Sequence, residues 1–75
     1  MSRTFVAHVN PTPGLLARVD ALFRRQDAEL TSLSYDLAHR GGASLTIVAS
    51  ASEEAARLLA KHLARLADVR EVETR

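Results

Sequence analysis

The chain has 75 residues, which predicts one domain spanning 1–75. Its 10 basic and 9 acidic residues, with one tyrosine and two phenylalanines, argue against a nucleic-acid-binding surface. Cysteine is absent, so disulfides and cysteine-ligated zinc are excluded, and so short a domain is expected to need a dimer partner. No apolar run could cross a bilayer, and the N-terminus does not resemble a signal peptide, which predicts a cytoplasmic protein.

Residues 4–9, TFVAHV, alternate in polarity and predict a first strand. The segment NPTPG, residues 10–14, ends this strand because proline cannot continue a hydrogen-bonded ladder. Thr12 is the expected N-cap of the helix that follows, with Pro13 as its first residue. The apolar stripe of this helix is formed by Leu15, Leu16, Val19, Leu22 and Phe23.

Residues 29–37, ELTSLSYDL, predict a second strand with an irregularity. Leu33, Tyr35 and Leu37 alternate, but Leu30 is out of phase with them. A bulge near Thr31–Ser32 would reconcile the two halves of the strand. The pair Gly41-Gly42 then predicts a hairpin turn into a third strand at 44–50.

A second helix is predicted within residues 50–69. Ser50 and Glu53 match a capping box, and Ser52 is a competing cap. The apolar stripe comprises Ala56, Leu59, Ala60, Leu63, Leu66 and Ala67. Residues 69–73, VREVE, then predict a short fourth strand.

The predicted order β-α-β-β-α-β is that of a ferredoxin-like α+β sandwich, in which two helices cover one face of a four-stranded antiparallel sheet. The opposite face would remain open. It would present the side chains of Val6, His8, Thr46 and Val48. A half-apolar open face or an open edge strand suggests a partner.

The sequence shows no catalytic or metal-binding arrangement. Its serines lack a nearby His–Asp pattern, and its three histidines have no ligand spacing. Those histidines are His8, His39 and His62, on a predicted strand, loop and helix. Glu53 and Glu54 begin a helix, where carboxylates complement the helix dipole. We therefore expect no catalytic residue and no metal.

The loop at residues 10–14 is the one segment with the character of a binding site. The first N–H groups of the following helix lack internal partners and suit a small carboxylate. Gly14 leaves the backbone accessible, and the amide of Asn10 can donate and accept hydrogen bonds. The same features are also those of an ordinary helix start, so both interpretations remain open at this point.

Four segments together resemble an ACT domain, and in particular the small regulatory subunits of acetolactate synthase. They are NPTPGLLARVDALFRRQ, LTSL, SLTIVAS and KHLARLADVREVE. The family pattern similar to the first is N-x-P-G-V-L-x-R-V-x-x-L-F. The resemblance extends from Phe5 to Val72 and matches the short type of small subunit.

The resemblance implies a regulatory subunit in branched-chain amino-acid biosynthesis, not an enzyme. ACT domains commonly pair side by side as dimers and bind amino acids at the interface between two domains. The small subunit activates a catalytic subunit that depends on thiamine diphosphate. Because that cofactor belongs to the partner, the resemblance implies none here.

The resemblance also implies an effector site at positions matching the family pattern. These are Asn10, Thr12, Pro13, Gly14, Leu15, Leu16, Glu29 and Leu30. Three positions depart from the pattern: Asp27 replaces a usual glycine, Glu29 an asparagine that contacts the effector, and Leu45 an arginine. An ionised Glu29 only accepts hydrogen bonds, so it could hold an amino group but would repel a ligand carboxylate.

Two alternatives to this function also fit the sequence. One is a free-standing ACT-domain sensor of amino acids, and the other is a dimerisation scaffold with another partner. The sensor would be distinguished by ligand binding without an acetolactate synthase partner, and the scaffold by dimerisation alone.

Overall fold

The computed structural model describes residues 2–37 and 42–75, which form four strands and two helices in the predicted order. His39 and Gly41 lie outside these residues, so the predicted Gly41-Gly42 turn falls partly outside the described structure. The strands are β1 (Ser2–Val9), β2 (Glu29–Leu37), β3 (Ala43–Ser50) and β4 (Val69–Thr74), and the helices are α1 (Leu15–Arg25) and α2 (Glu53–Arg65).

The sheet has the strand order β2-β3-β1-β4, and every neighbouring pair is antiparallel. Strands β1 and β3 lie in the centre, whereas β2 and β4 form the edges. Phe5 pairs with Ile47 across the centre, so the apolar residues of the two strands share one face. This topology confirms the ferredoxin-like α+β sandwich.

The core lies between the two helices and the centre of the sheet. The ring of Phe5 on β1 meets that of Phe23 on α1 edge-on, with their centroids 5.5 Å apart. The largest completely or almost completely buried side chains are Phe5, Phe23, Leu15, Leu45, Ile47, Leu59, Leu63, Val9 and Val19. They alternate along the strands and recur at helical spacing, as the sequence predicted.

The second strand contains the predicted irregularity. Its register against β3 shifts between Leu30 and Ser32, where the side chain of Thr31 donates a 2.9 Å hydrogen bond to the carbonyl of Val48. The shift places Leu30 on the same face as Leu33 and the residues that follow at period two. The bulge near Thr31–Ser32 is therefore confirmed.

The predicted start of α1 was wrong. The helix begins at Leu15, and its N-cap is Gly14 in a left-handed conformation (φ 80°) with no side-chain cap. Thr12 does not cap the helix because it lies two residues before the N-cap, and its side-chain oxygen accepts a hydrogen bond from Arg18. Leu16 also leaves the predicted stripe, since it is 40% exposed.

The helix α2 is shorter than the segment that the apolar pattern predicted. Ser50 ends β3, and Ser52 is the N-cap, accepting a 3.1 Å hydrogen bond from the Ala55 N–H. The helix ends at Arg65, so Ala67 lies beyond it and is exposed. The capping box at Ser50 was therefore wrong, and the competing cap is the one that forms.

The end of α1 explains why glycine is favoured at position 27. Asp27 has a φ of 57°, and its N–H bonds to the carbonyl of Arg24. The N–H of Ala28 reaches back to the carbonyl of Phe23, which completes a Schellman motif. Its left-handed residue is ordinarily glycine, because a side chain there crowds the backbone.

Replacing Asp27 with glycine should relieve this conformation and raise the free energy of unfolding by about 0.5–1 kcal/mol. Chemical denaturation would measure the change. Asp27→Ala is the control, because it removes the carboxylate but keeps a Cβ at the strained position. Equal stabilisation by both substitutions would show that charge, and not backbone conformation, is responsible.

Candidate functional site

The loop between β1 and α1 has a conformation that only glycine adopts easily. Gly14 stands at φ 80°, and its carbonyl accepts the N–H of Arg18 at 3.1 Å. The N–H of Leu15 bonds to the carbonyl of Thr12 at 3.3 Å. A Cβ on Gly14 would meet nothing within 4 Å, so the backbone here is open to a ligand and is constrained by its angle, not by crowding.

The start of α1 offers backbone donors to an anion. The N–H groups of Leu16 and Ala17 have no hydrogen-bond acceptor among residues 2–37 and 42–75. These groups belong to the first turn, where the helix dipole also favours negative charge. The side chain of Leu15 is buried and fixes the turn, whereas Leu16 is exposed beside it. The loop can thus accept a small carboxylate next to an apolar side chain.

A second set of interactions holds this loop against the turn before β4. The N–H of Asn10 donates to the carbonyl of Asp68 at 2.7 Å. The guanidinium of Arg18 donates to the carboxylate of Asp68 at 2.6 Å and to the hydroxyl of Thr12 at 3.4 Å. The loop is therefore fixed by residues of α1 and of the α2–β4 turn together.

The other two residues of the predicted site lie at the far end of the sheet. Asn10 follows the end of β1 that pairs with Ala43, whereas Glu29 pairs with Ser50 at the opposite end of β3. Seven residues of strand separate these ends, or about 23 Å. Leu30, next to Glu29, packs partly into the core. A single chain therefore brings Asn10 to Leu16 together but leaves Glu29 and Leu30 apart from them.

The edge strand β2 presents an apolar row that the helices do not cover. Leu33, Tyr35 and Leu37 pair with Ile47, Leu45 and Ala43, so they share the helix-covered face. They are nevertheless 38%, 39% and 71% exposed, because α1 and α2 do not cover the part of this edge strand that follows Ser32. Ser32, Ser34 and Asp36 occupy the other face of the strand. One long edge of the sheet is thus both unpaired and apolar on one side.

A further groove lies at the start of α2, and the described residues form no metal centre. A groove of about 950 Å³ at the start of α2 is lined by Arg3, Glu53, Glu54 and Arg57, charges of both signs. Residues 2–37 and 42–75 contain no cluster of His, Asp or Glu that could hold a metal. No helix in the described part of the chain is long and apolar enough to cross a membrane.

A scan against protein-family models gives no match, and a search of curated proteins gives none either. Among solved structures, the small subunit of acetolactate synthase from Thermotoga maritima is similar, with a TM-score of 0.85 and 20% identity over 99% of this chain. The ACT domain from GTP pyrophosphokinase of Chlorobium tepidum matches 100% of this chain, with a TM-score of 0.81 and 12% identity. A homoserine dehydrogenase from Thiobacillus denitrificans matches 97% of this chain, with a TM-score of 0.83 and 11% identity.

These similarities identify the fold of the chain. The class is a ferredoxin-like α+β sandwich, with two helices on one face of an antiparallel sheet. Within that class, the chain has the ACT-domain fold. It covers 97% of the Chlorobium tepidum domain but 47% of the Thermotoga maritima small subunit and 16% of the homoserine dehydrogenase.

Sequence reasoning missed two contributors to the loop. They are Arg18 and Asp68, and no sequence motif singles out either residue. Their contact joins residues 50 positions apart in the chain, so no local pattern could reveal it. A partial signal existed in the segment NPTPGLLARV, where Arg18 follows Gly14 by one helical turn.

Proposed function

We propose that this chain is a non-catalytic regulatory subunit of acetolactate synthase, acting in the cytoplasm in branched-chain amino-acid biosynthesis. The observation that supports the assignment most is the combination of the ACT-domain fold with the family-like segments at both ends of that fold. The first segment forms the β1–α1 loop and α1, and the last forms the C-terminal end of α2, the turn after it and most of β4. The thiamine diphosphate of the reaction would be held by the catalytic subunit.

The direct test is to add the purified protein to its cognate acetolactate synthase catalytic subunit. We expect co-elution and a change of at least about tenfold in kcat/KM, equivalent to ~1.4 kcal/mol of transition-state free energy. Serum albumin at equal concentration controls for non-specific stabilisation. The absence of both co-elution and a rate change would refute the proposal. Amino-acid binding without either effect would instead favour the free-standing sensor, and dimerisation alone would favour a scaffold.

A homodimer through paired β2 strands follows from the exposed edge. Antiparallel pairing about a two-fold axis perpendicular to the sheet would place the Leu33, Tyr35 and Leu37 rows of both copies on the same face. The eight-stranded sheet formed in this way would satisfy backbone groups on β2 and shield its apolar row. The hydrophobic row supplies the driving force, since each large side chain contributes about 1.5–3 kcal/mol on complete burial.

Leu33→Glu should weaken this dimer because it introduces a charge into the apolar row. We expect the dimer dissociation constant to rise by at least about tenfold, or ~1.4 kcal/mol, in sedimentation equilibrium. Ser34→Glu is the matched control, because it adds the same charge to the next residue on the opposite face. Equal effects of the two substitutions would argue against pairing through the apolar row, and a wild-type monomer at high concentration would argue against any dimer.

The same dimer would complete the effector site. Antiparallel pairing of two β2 strands brings the partner's Glu29 end alongside the Leu37 end of this chain. The Leu37 end is also the end at which the β1–α1 loop lies, since Leu37 and Val9 both pair with Ala43. We infer that the loop of one copy and residues 29–30 of the other form one site for an amino acid. The backbone N–H groups of α1 would bind its carboxylate, whereas the ionised Glu29 of the second copy would repel that carboxylate and weaken binding.

Glu29→Asn tests this arrangement by removing the charge that repels the ligand carboxylate. We expect L-valine, L-leucine or L-isoleucine to bind more tightly, and a ligand at 100 times its dissociation constant stabilises the fold by about 2.7 kcal/mol. Thermal unfolding with each amino acid measures the effect. Asp36→Asn is the control, because it removes a carboxylate from the other face of the same strand. No ligand response in Glu29→Asn would count against the site.

A further inference from the structure

Helix α2 carries a row of cations with no acidic counterpart in the described part of the fold. Arg57, Lys61 and Arg65, here called the cationic row, are exposed and four residues apart, so they share one face of the helix over about 12 Å. Like charges at this spacing repel each other. None of the three belongs to an ion pair among the described residues. The helix has no acidic residue after Glu54 that could compensate them.

Two cations of α1 differ from the cationic row in this respect. The guanidinium of Arg24 lies 3.1 Å from the carboxylate of Asp20, and that of Arg18 lies 2.6 Å from the carboxylate of Asp68. Both of these guanidinium groups therefore have an anionic partner within the domain. The cationic row has none, so its charge is available to an anion from another molecule.

The cationic row begins at the groove at the start of α2. Arg57 lines this groove from the helix, and Arg3 lines it from β1. The Nε atom of Arg3 is buried and has no hydrogen-bond partner among the described residues. A buried donor without a partner is unfavourable, and a carboxylate bound to the same guanidinium would offset part of that cost. The groove and the row thus point independently to an anionic occupant.

Two carboxylates at the groove restrict what this occupant can be. Glu53 and Glu54 line the groove together with the two arginines. They would repel a polymer with a negative charge on every unit, such as a nucleic acid. A polypeptide can instead place acidic side chains against the cationic row and uncharged residues beside Glu53 and Glu54. Because an extended chain advances about 3.3 Å per residue, about four residues would span the row.

We propose that the cationic row and the adjoining groove bind an acidic segment of a partner polypeptide, whose carboxylates pair with the row and with the guanidinium of Arg3. Helix α2 packs against β4, the edge of the sheet opposite to β2. The surface is therefore separate from the edge through which the dimer is proposed to form, and each copy can bind a segment of its own. The inference goes beyond the proposed regulation of acetolactate synthase and does not depend on it.

The test titrates the isolated protein with the capped peptide acetyl-GGEEEE-amide and follows the backbone amide signals by NMR. We expect saturable shifts at Arg3 and along the cationic row, and a dissociation constant that rises with salt concentration. Arg57→Gln should raise this constant by up to about fivefold, because it removes one charge pair. Arg25→Gln is the matched control, since Arg25 is also exposed, helical and without an ion pair among the described residues but does not line the groove. Thermal unfolding verifies that both variants fold.

Two further probes separate this surface from non-specific attraction. The peptide acetyl-GGQQQQ-amide should not bind, because it lacks the carboxylates, and a thymidine hexanucleotide should bind more weakly than the acidic peptide. Localised shifts that weaken in Arg57→Gln but not in Arg25→Gln would support the inference. Equal weakening in the two variants, shifts centred on another element, or equal binding of either further probe would overturn it. The absence of saturable binding of the acidic peptide at millimolar concentration would overturn it as well.

Discussion

The layer of two helices is narrower than the sheet that it covers, and the rest of the structure depends on this difference. Two short helices cover the centre of the sheet completely, where Phe5 and Ile47 are fully buried. They do not cover the C-terminal half of the edge strand β2, so Leu37 on the same face is 71% exposed. Residues 2–37 and 42–75 contain no helix besides α1 and α2 that could cover this part of the strand. The uncovered row on β2 is consequently the surface whose burial by a second copy would contribute most to the free energy of association.

This edge also determines how a ligand site can be assembled. The β1–α1 loop provides backbone donors, but the two other residues implied by the family resemblance, Glu29 and Leu30, lie at the other end of the sheet. Antiparallel pairing reverses the partner strand, so it brings opposite ends of β2 together. Dimerisation and effector binding would then be properties of one surface.

The loop is built from a strained angle and a distant ion pair, not from a capping side chain. Gly14 supplies the left-handed turn, and Asp68 holds Asn10 and Arg18 from the other half of the fold. This construction leaves the first N–H groups of α1 uncapped and accessible. A residue with a capping side chain at position 14 would have used the N–H of Leu16 or Ala17. The deviation from the ordinary helix start is thus the feature that gives the loop its capacity for an anion.

The sequence by itself determined the order of the elements, the apolar faces of β1 and β3, and the bulge after Leu30, because each leaves a local pattern of period 2 or 3.6. It also located the loop around Gly14. The tertiary structure decided which candidate residues meet, because contacts such as Arg18–Asp68 join segments that are far apart in the chain. It likewise decided that Leu16 and Leu33 are exposed, since burial depends on where the helices end and not on hydrophobicity alone.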